Sequence, residues 1–265
     1  MEKISVFISD WQVLFREGIH FVLSGEEEFD IIGEATNNEE ALSAIEKNPP
    51  KVAIFNADRD KPSGIEITRR IKQNLPAVVI ILIMDNYNDE QLFLAMKSGA
   101  SACLSKDVNP DELLDIIRKV VRGEHPISGA LLIPEVASRI IDEFEAFSVI
   151  NEEVGQLLAR LLPDEAEILR LIASGNLIEE ITKGLKLQEA DVRNHLDLIL
   201  GKLVTNERSR ELIEAAQSNL PSILSKISGS GKLARSSAQY VTKDEFSNFK
   251  EELIERIKSL FGELK

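Results

Sequence analysis

Between residues 4 and 122, short apolar runs and amphipathic stretches alternate five times. No other feature restricts the possible folds of this chain as much. Ile4–Ser9, Phe29–Glu34, Val52–Asn56, Val78–Met84 and Ala102–Ser105 have the length and apolar content of strands. The stretches that follow them, Val13–Leu23, Asn38–Lys47, Ile65–Leu75, Glu90–Ser98 and Asp111–Arg122, place apolar residues at helical spacing. Strands that alternate with helices in this way predict a doubly wound parallel sheet with right-handed crossovers. Val52–Asn56 reads as the central strand. Four apolar residues in a row, bounded by a polar segment containing Pro62 and Gly64, are typical of a strand buried on both faces. Its last residue falls at the carboxyl end, where open α/β sheets place their chemistry. That residue is Asn56, an amide with neither charge nor nucleophilic oxygen.

Length and charge bound the rest. A chain of 265 residues has room for two domains with real cores, and its apolar share of 43% is sufficient for both. Cys103 is the one cysteine, so no internal disulfide forms and a reducing, cytoplasmic setting is expected. No apolar run reaches membrane-spanning length, and Met1-Glu2-Lys3-Ile4-Ser5 carries no signal-peptide pattern, so no membrane association is expected. The net charge of −14 argues against indiscriminate binding to nucleic acid. By segment it is −7 over residues 1–123, −6 over 124–159, −3 over 160–217 and +2 over 218–265. Cys103 and His20 lack partners for nucleophilic catalysis or metal binding. The chain therefore reads as a non-enzyme without cofactor or metal.

The first 123 residues resemble the receiver domains of NarL/LuxR-type response regulators. The resemblance is carried by Ile8-Ser9-Asp10, Leu14-Phe15-Arg16-Glu17-Gly18, Gly33-Glu34-Ala35, Glu40-Ala41-Leu42, Gly99-Ala100-Ser101 and Lys106-Asp107. It implies a phosphorylation pocket at the strand ends, and residue by residue that pocket is depleted. Asp10 keeps the first acidic position, and Trp11 takes the second. Asn56 stands at the phosphoacceptor position, Ile83 replaces the hydroxyl of strand four, and Lys106 remains. Cys103 replaces the aromatic residue of strand five. Phosphoryl transfer to a carboxylate needs a nucleophilic oxygen and Mg²⁺ on hard oxygen ligands, and this set supplies neither. The expected arrangement is a structural remnant in which Lys106 pairs with Asp10, Asn56 hydrogen-bonds and Trp11 covers the site. A second reading has Trp11 stacking on a small planar ligand.

Residues 124–160 form an acidic connector with a helix from about Ile133. Val136, Ile140, Phe144 and Phe147 make one stripe, read as packing on the receiver or as a dimer face. Residues 161–217 resemble the four-helix DNA-binding domain of LuxR-type regulators, through Leu162-Pro163-Asp164-Glu165, Glu167-Ile168-Leu169, Glu180-Ile181, Val192-Arg193-Asn194-His195 and Lys202-Leu203. The resemblance makes Glu189–Leu203 the recognition helix and Arg208–Ala216 a separate fourth helix. Gln188, Arg193 and Asn194 become candidates for reading bases, with His195, Lys202, Arg208 and Arg210 as candidates for contacting phosphate. Asp191, Asp197, Glu179 and Lys186 depart from the family pattern, and acids facing DNA forgo counterion release.

Residues 218–241 read as a flexible Gly/Ser-rich linker. Residues 242–265 read as an amphipathic helix opened by the capping box Thr242-Lys243-Asp244-Glu245, with an apolar stripe suited to a partner protein or a coiled coil. The expected architecture is thus α/β plus all-α: a (βα)5 receiver-like domain, a helix-turn-helix domain and a C-terminal helix. The expected function is a homodimeric, DNA-binding transcription regulator that works without aspartyl phosphorylation. The alternative is an adaptor that keeps the fold and acts through protein contacts.

Overall fold

A computed structural model of the chain describes residues 3–58, 62–85, 88–149 and 158–229. The chain divides into two compact units, Met1–Ala215 and Ala216–Lys265, and the first contains every site discussed below. The C-terminal helix expected at 242–265 lies outside the described residues.

Five parallel strands, β1 (Ile4–Ser9), β2 (Phe29–Ala35), β3 (Val52–Asn56), β4 (Val79–Met84) and β5 (Ala102–Ser105), form one sheet in the order β2-β1-β3-β4-β5. Every residue of the central strand β3 is buried. Alternate side chains serve opposite faces, as the two-residue period of a strand requires. Val6, Ile8, Ile54, Ile81 and Ile83 join the core covered by α1 (Val13–Ser24) and α5 (Pro110–Val121). Phe7, Phe55, Ile80 and Leu82 face α2 (Asn38–Lys47), α3 (Gly64–Asn74) and α4 (Asp89–Ser98). Helix starts carry their own signals. Ser63 and Glu66 close a capping box on α3, Asn88 and Gln91 do so on α4, and Asn37 and Asn109 cap α2 and α5. The Ser63 backbone N–H holds the Glu66 carboxyl below its ordinary pKa.

After α5 a 3-10 segment, Pro126–Leu132, leads into α6 (Pro134–Val149). Val136, Ile140, Phe144 and Phe147 are all buried, with α6 packed against α4 and α7 (Pro163–Ala173). Each such side chain contributes roughly 1.5–3 kcal/mol on leaving water, which explains why the stripe docks. Of the two fates open to this stripe, the structure shows packing within the chain.

The helical region departs from expectation in one respect. α7 and α8 (Ile178–Leu185) are followed by a single helix, α9, that runs from Glu189 to Gly229. The break expected before Arg208 is missing, and residues 218–229, read as linker, are helical. Thr205, Asn206 and Ser209 are weak helix formers that bond locally in other conformations. In α9 the Thr205 and Ser209 hydroxyls donate to the carbonyls of Gly201 and Thr205. Asn206 instead holds both the N–H and the C=O of Ala159. Tertiary bonding thus removes the reason for a break.

The apolar core is continuous from the α2–α4 face of the sheet through α6 to Ile168, Val192, Ile199 and Leu203. Gly99, at φ +88°, ends α4 with the left-handed residue that glycine supplies. A Cβ there would lie 3.3 Å from Lys72 Cγ and 3.6 Å from Val204 Cγ1, so α9 packs close to α3 and α4 at this point.

Candidate functional site

At the carboxyl ends of β1 and β3, where the strand order reverses, the chain collects a compact polar cluster. Asn56 Nδ2 donates to Asp10 Oδ2 at 2.9 Å, and Asn56 Oδ1 accepts the Asp58 N–H at 2.8 Å. Asp10 Oδ1 accepts the Gln12 N–H at 2.7 Å. Both ends of the Asn56 amide and both oxygens of Asp10 are therefore occupied by protein. Asp10 and Asn56 are buried. A carboxylate at residue 56 would meet Asp10 as a like charge, whereas the amide meets it as a donor.

Lys106 reaches the same cluster from the end of β5. Its Nζ lies 2.9 Å from Asp85 Oδ1, 2.8 Å from Gln12 Oε1 and 3.5 Å from Asp10 Oδ2. It also sits over the rings of Phe15 and Trp11, at 5.3 and 5.6 Å from their centroids. The expected pairing with Asp10 is thus the longest of three polar contacts. Asp85 and Gln12, which the sequence reading passed over, are the nearer partners. Asp85 directly follows β4, so its place at a strand end was legible. Ile83 is opposite Asn56 in register, but its side chain is buried in the apolar core under α1 and α5. It brings no hydrogen-bonding group to the pocket.

Asp58 also has a local role. Its carboxylate accepts the Asp85 N–H at 2.8 Å and the Gln91 amide at 3.3 Å, joining the loops after β3 and β4. The start of α3 presses on the same place, since a Cβ on Gly64 would lie 2.4 Å from the Asn56 carbonyl oxygen. Burial pushes the Cys103 thiol up to about 12, with Asp58 adding to the shift, so this cysteine is chemically quiet. Among the described residues no cluster of His, Cys, Asp and Glu could hold a metal ion.

The second set of candidates lies on the helices after the connector. α8 and α9 are joined through Lys186, a non-glycine residue in the left-handed region at φ 57°. Gln188, Arg193 and Asn194 are exposed at the start of α9. Arg193 is engaged with Glu189 one turn back, at 2.6 and 2.9 Å. Asp191 accepts the Gln188 N–H at 3.0 Å. This departure from the family pattern therefore caps the helix, and its charge favours the helix N-terminus. His195 is half-buried, and its Nδ1 has no hydrogen-bond partner.

The phosphate candidates sit elsewhere than expected. Lys202 Nζ contacts both oxygens of the fully buried Glu165, at 2.6 and 2.7 Å. Arg208 is half-buried, and desolvation lowers its pKa. Its charge also lowers the pKa of Lys72 on α3. Arg210 pairs with Glu207 at 2.9 Å and Glu143 at 3.5 Å. Of the six residues proposed to meet DNA, Gln188, Arg193 and Asn194 are exposed and His195 is half-buried. Lys202 and Arg208 are held within the protein. Leu177, just before α8, and Leu198, in α9, are exposed leucines (66% and 56%).

Comparison with known proteins agrees with the first half of this description. Residues 6–118 match the family model "Response regulator receiver domain". A transcriptional regulatory protein, DegU, of Brevibacillus brevis is 29% identical over 226 residues, which span 80% of this chain and 93% of that protein. The uncharacterized transcriptional regulatory protein YxjL of Bacillus subtilis is 29% identical over 220 residues, spanning 83% of this chain and 98% of that protein. Among solved structures, the signal receiver domain of the NarL regulator from Mycobacterium tuberculosis aligns with a TM-score of 0.46 at 25% identity, covering 47% of this chain and all of that one. The relatives are named as transcriptional regulators, not as enzymes. Among the described residues no helix is long and apolar enough to cross a membrane. Residues 6–118 are thus similar to response regulator receiver domains, and the helical region follows them.

Proposed function

We propose that this chain is a transcription regulator whose receiver works without phosphorylation of residue 56 and whose output is DNA binding by the start of α9. One observation carries the first half. The Asn56 amide donates to Asp10 and accepts from Asp58, in the place where a phosphoacceptor would need a free carboxylate oxygen. An amide forms no acyl phosphate, and Asp10 without a second acid is a poor Mg²⁺ site. Incubation of the full chain with a small phosphodonor and Mg²⁺, read by intact mass, is expected to show no added phosphoryl group. A phosphoryl adduct on any residue of the strand-end cluster overturns this half.

The second half is supported by the exposed Gln188, Arg193 and Asn194 on the first turns of a helix that follows α8 and its left-handed Lys186. Arg193 suits guanine or phosphate, and the two amides suit adenine. A homodimer would place two such helices on neighbouring half-sites. The test is genome-wide recovery of bound DNA, followed by salt-dependent binding to the recovered sites. Unchanged affinity in Arg193→Ala sinks the DNA-reading assignment. The exposed Leu177 and Leu198 favour a second reading, in which this surface docks a protein. Recovery of no DNA above background decides for it.

A further inference from the structure

The first turn of α9 carries two carboxylates, and each has a partner close by in sequence. Asp191 accepts the Gln188 N–H at 3.0 Å and caps the helix. Glu189 Oε1 accepts two bonds from Arg193, one from Nη2 at 2.6 Å and one from Nε at 2.9 Å. Both side chains are exposed, 56% for Glu189 and 55% for Arg193. An exposed pair at this i,i+4 spacing adds little to stability. Its larger effect is to hold one long side chain in one direction.

The direction follows from the guanidinium itself. Its N–H groups form a rigid planar fork, and two of the edges of that fork can each make a pair of parallel bonds. Nε and Nη2 form the side edge, and Nη1 and Nη2 form the end edge. Glu189 takes the side edge. The end edge remains for O6 and N7 of guanine, two acceptors in the major groove that match it bidentately. The carboxylate also changes how Arg193 meets a phosphate. A guanidinium already paired with an acid has most of its charge cancelled, so it displaces few counterions from DNA. The directional donors remain, and the undirected attraction is largely removed.

We infer that Glu189 is a positioning residue for base reading: by holding the side edge of the Arg193 guanidinium, it directs Arg193 to guanine and keeps it from serving as a sequence-blind phosphate contact. This rests on the DNA-binding function proposed above. It also gives an acid in a region of net charge −3 a use, since Glu189 lowers affinity for DNA in general and raises selectivity.

The test uses the full chain as wild type, E189A, R193A and the double variant. Alanine removes the acceptor and keeps a strong helix former in the first turn. Each protein is incubated with a library of random-sequence duplex DNA, and the bound fraction is sequenced. Affinity for the unselected library is measured over a range of salt concentrations. Wild type is expected to enrich guanine at one position of its site by about tenfold. E189A should lose that enrichment, bind the unselected library more tightly and show a log–log salt slope steeper by about 0.9, as one added phosphate contact requires. In the R193A background, E189A should change neither base preference nor slope. A pair that only steadied the helix would leave both as they are in wild type. Guanine enrichment and slope in E189A equal to those of wild type therefore overturn the positioning role and leave the DNA reading standing. Lost enrichment with weaker binding to the unselected library overturns it too, since the carboxylate would then serve DNA binding in general. Wild-type base preference in R193A overturns base reading by Arg193. No DNA bound by any form overturns the DNA reading and, with it, the role of Glu189.

Discussion

Two polar clusters lie at seams of this molecule, and they are satisfied in opposite ways. At the strand ends, Asn56, Asp10, Gln12 and Asp58 exchange short, well-paired hydrogen bonds, and the half-buried Lys106 has carboxylate, amide and aromatic partners. At the α3–α4–α9 seam, Glu207 Oε2 and Arg69 Nε are buried without a hydrogen-bond partner, and desolvation, with Arg208 adding, lowers the pKa of Lys72. The first cluster is locally complete. The second is charged, incompletely hydrogen-bonded and shared between α3, α4, α6 and α9. Buried polar atoms without partners in a folded protein call for an explanation, and here they lie at the helix seam and not at the strand ends.

The comparison can be broken by perturbing each cluster and its surroundings. The largest effect is expected at Glu165, a fully buried acid that holds Lys202 with both oxygens and also accepts the Leu162 N–H. Glu165→Ala should destabilise the chain by about 3 kcal/mol, because breaking a buried pair strands its partner. Thermal unfolding measures this, and a loss below about 1 kcal/mol would mean that Lys202 readily turns to solvent.

Asn56→Asp comes next. It replaces a donor with a carboxylate 2.9 Å from Asp10 Oδ2, which should cost roughly 2 kcal/mol at neutral pH. The sign is fixed by linkage. One carboxyl of the pair has a folded pKa raised above its unfolded value, so the penalty is absent at low pH and grows as pH rises through the unfolded carboxylate range. Mg²⁺ should not relieve it, since the indole of Trp11, next to Asp10, offers the ion no oxygen ligand. Recovery of stability with millimolar Mg²⁺, seen by thermal shift, would show that the pocket is more nearly functional than its hydrogen bonds indicate.

Lys72 sharpens the description of the seam. Desolvation, with Arg208 adding, lowers its pKa from 10.5 to about 8. A lysine with a depressed folded pKa destabilises fully below that pKa, and the penalty fades as pH rises from about 8 toward 10.5. Stability should therefore climb over that window. Lys72→Met should flatten the climb and raise stability at pH 7 by on the order of 1 kcal/mol, discounted for partial solvent access. Denaturant midpoints at pH 7 and pH 9.5 decide the matter. Arg193→Ala should be the mildest for the fold, because its pair with Glu189 is solvent-exposed, and it should leave the thermal midpoint unchanged. Its effect should fall on DNA affinity, by about tenfold.

The α/β half was legible because its signals are local. Apolar runs, helical spacing and capping residues such as Ser63, Asn88 and Asn109 need no knowledge of distant contacts, and the observed ends fall within about two residues of those read from the sequence. The identities of Asn56 and Lys106 placed them at strand ends for the same reason. The partners of Lys106 were less accessible, since Asp85 and Gln12 come from other loops and are chosen by distance in space.

The helical half was read less well, again for a physical reason. Thr205 and Asn206 argue locally for a break, and Ala159, 47 residues away, removes it by accepting from and donating to the Asn206 side chain. Lys202 and Arg208 looked like cations awaiting phosphate because charge alone says nothing of what lies opposite. Sequence by itself determined that a parallel sheet would form around Val52–Asn56, that residue 56 would be an amide, and that a helix bearing Gln188, Arg193 and Asn194 would follow. Only the tertiary structure decided that this helix continues into a buried ionic seam with Lys97 and Arg69. Burial and pairing depend on residues that pack together from distant parts of the chain, and no periodicity within one segment records them.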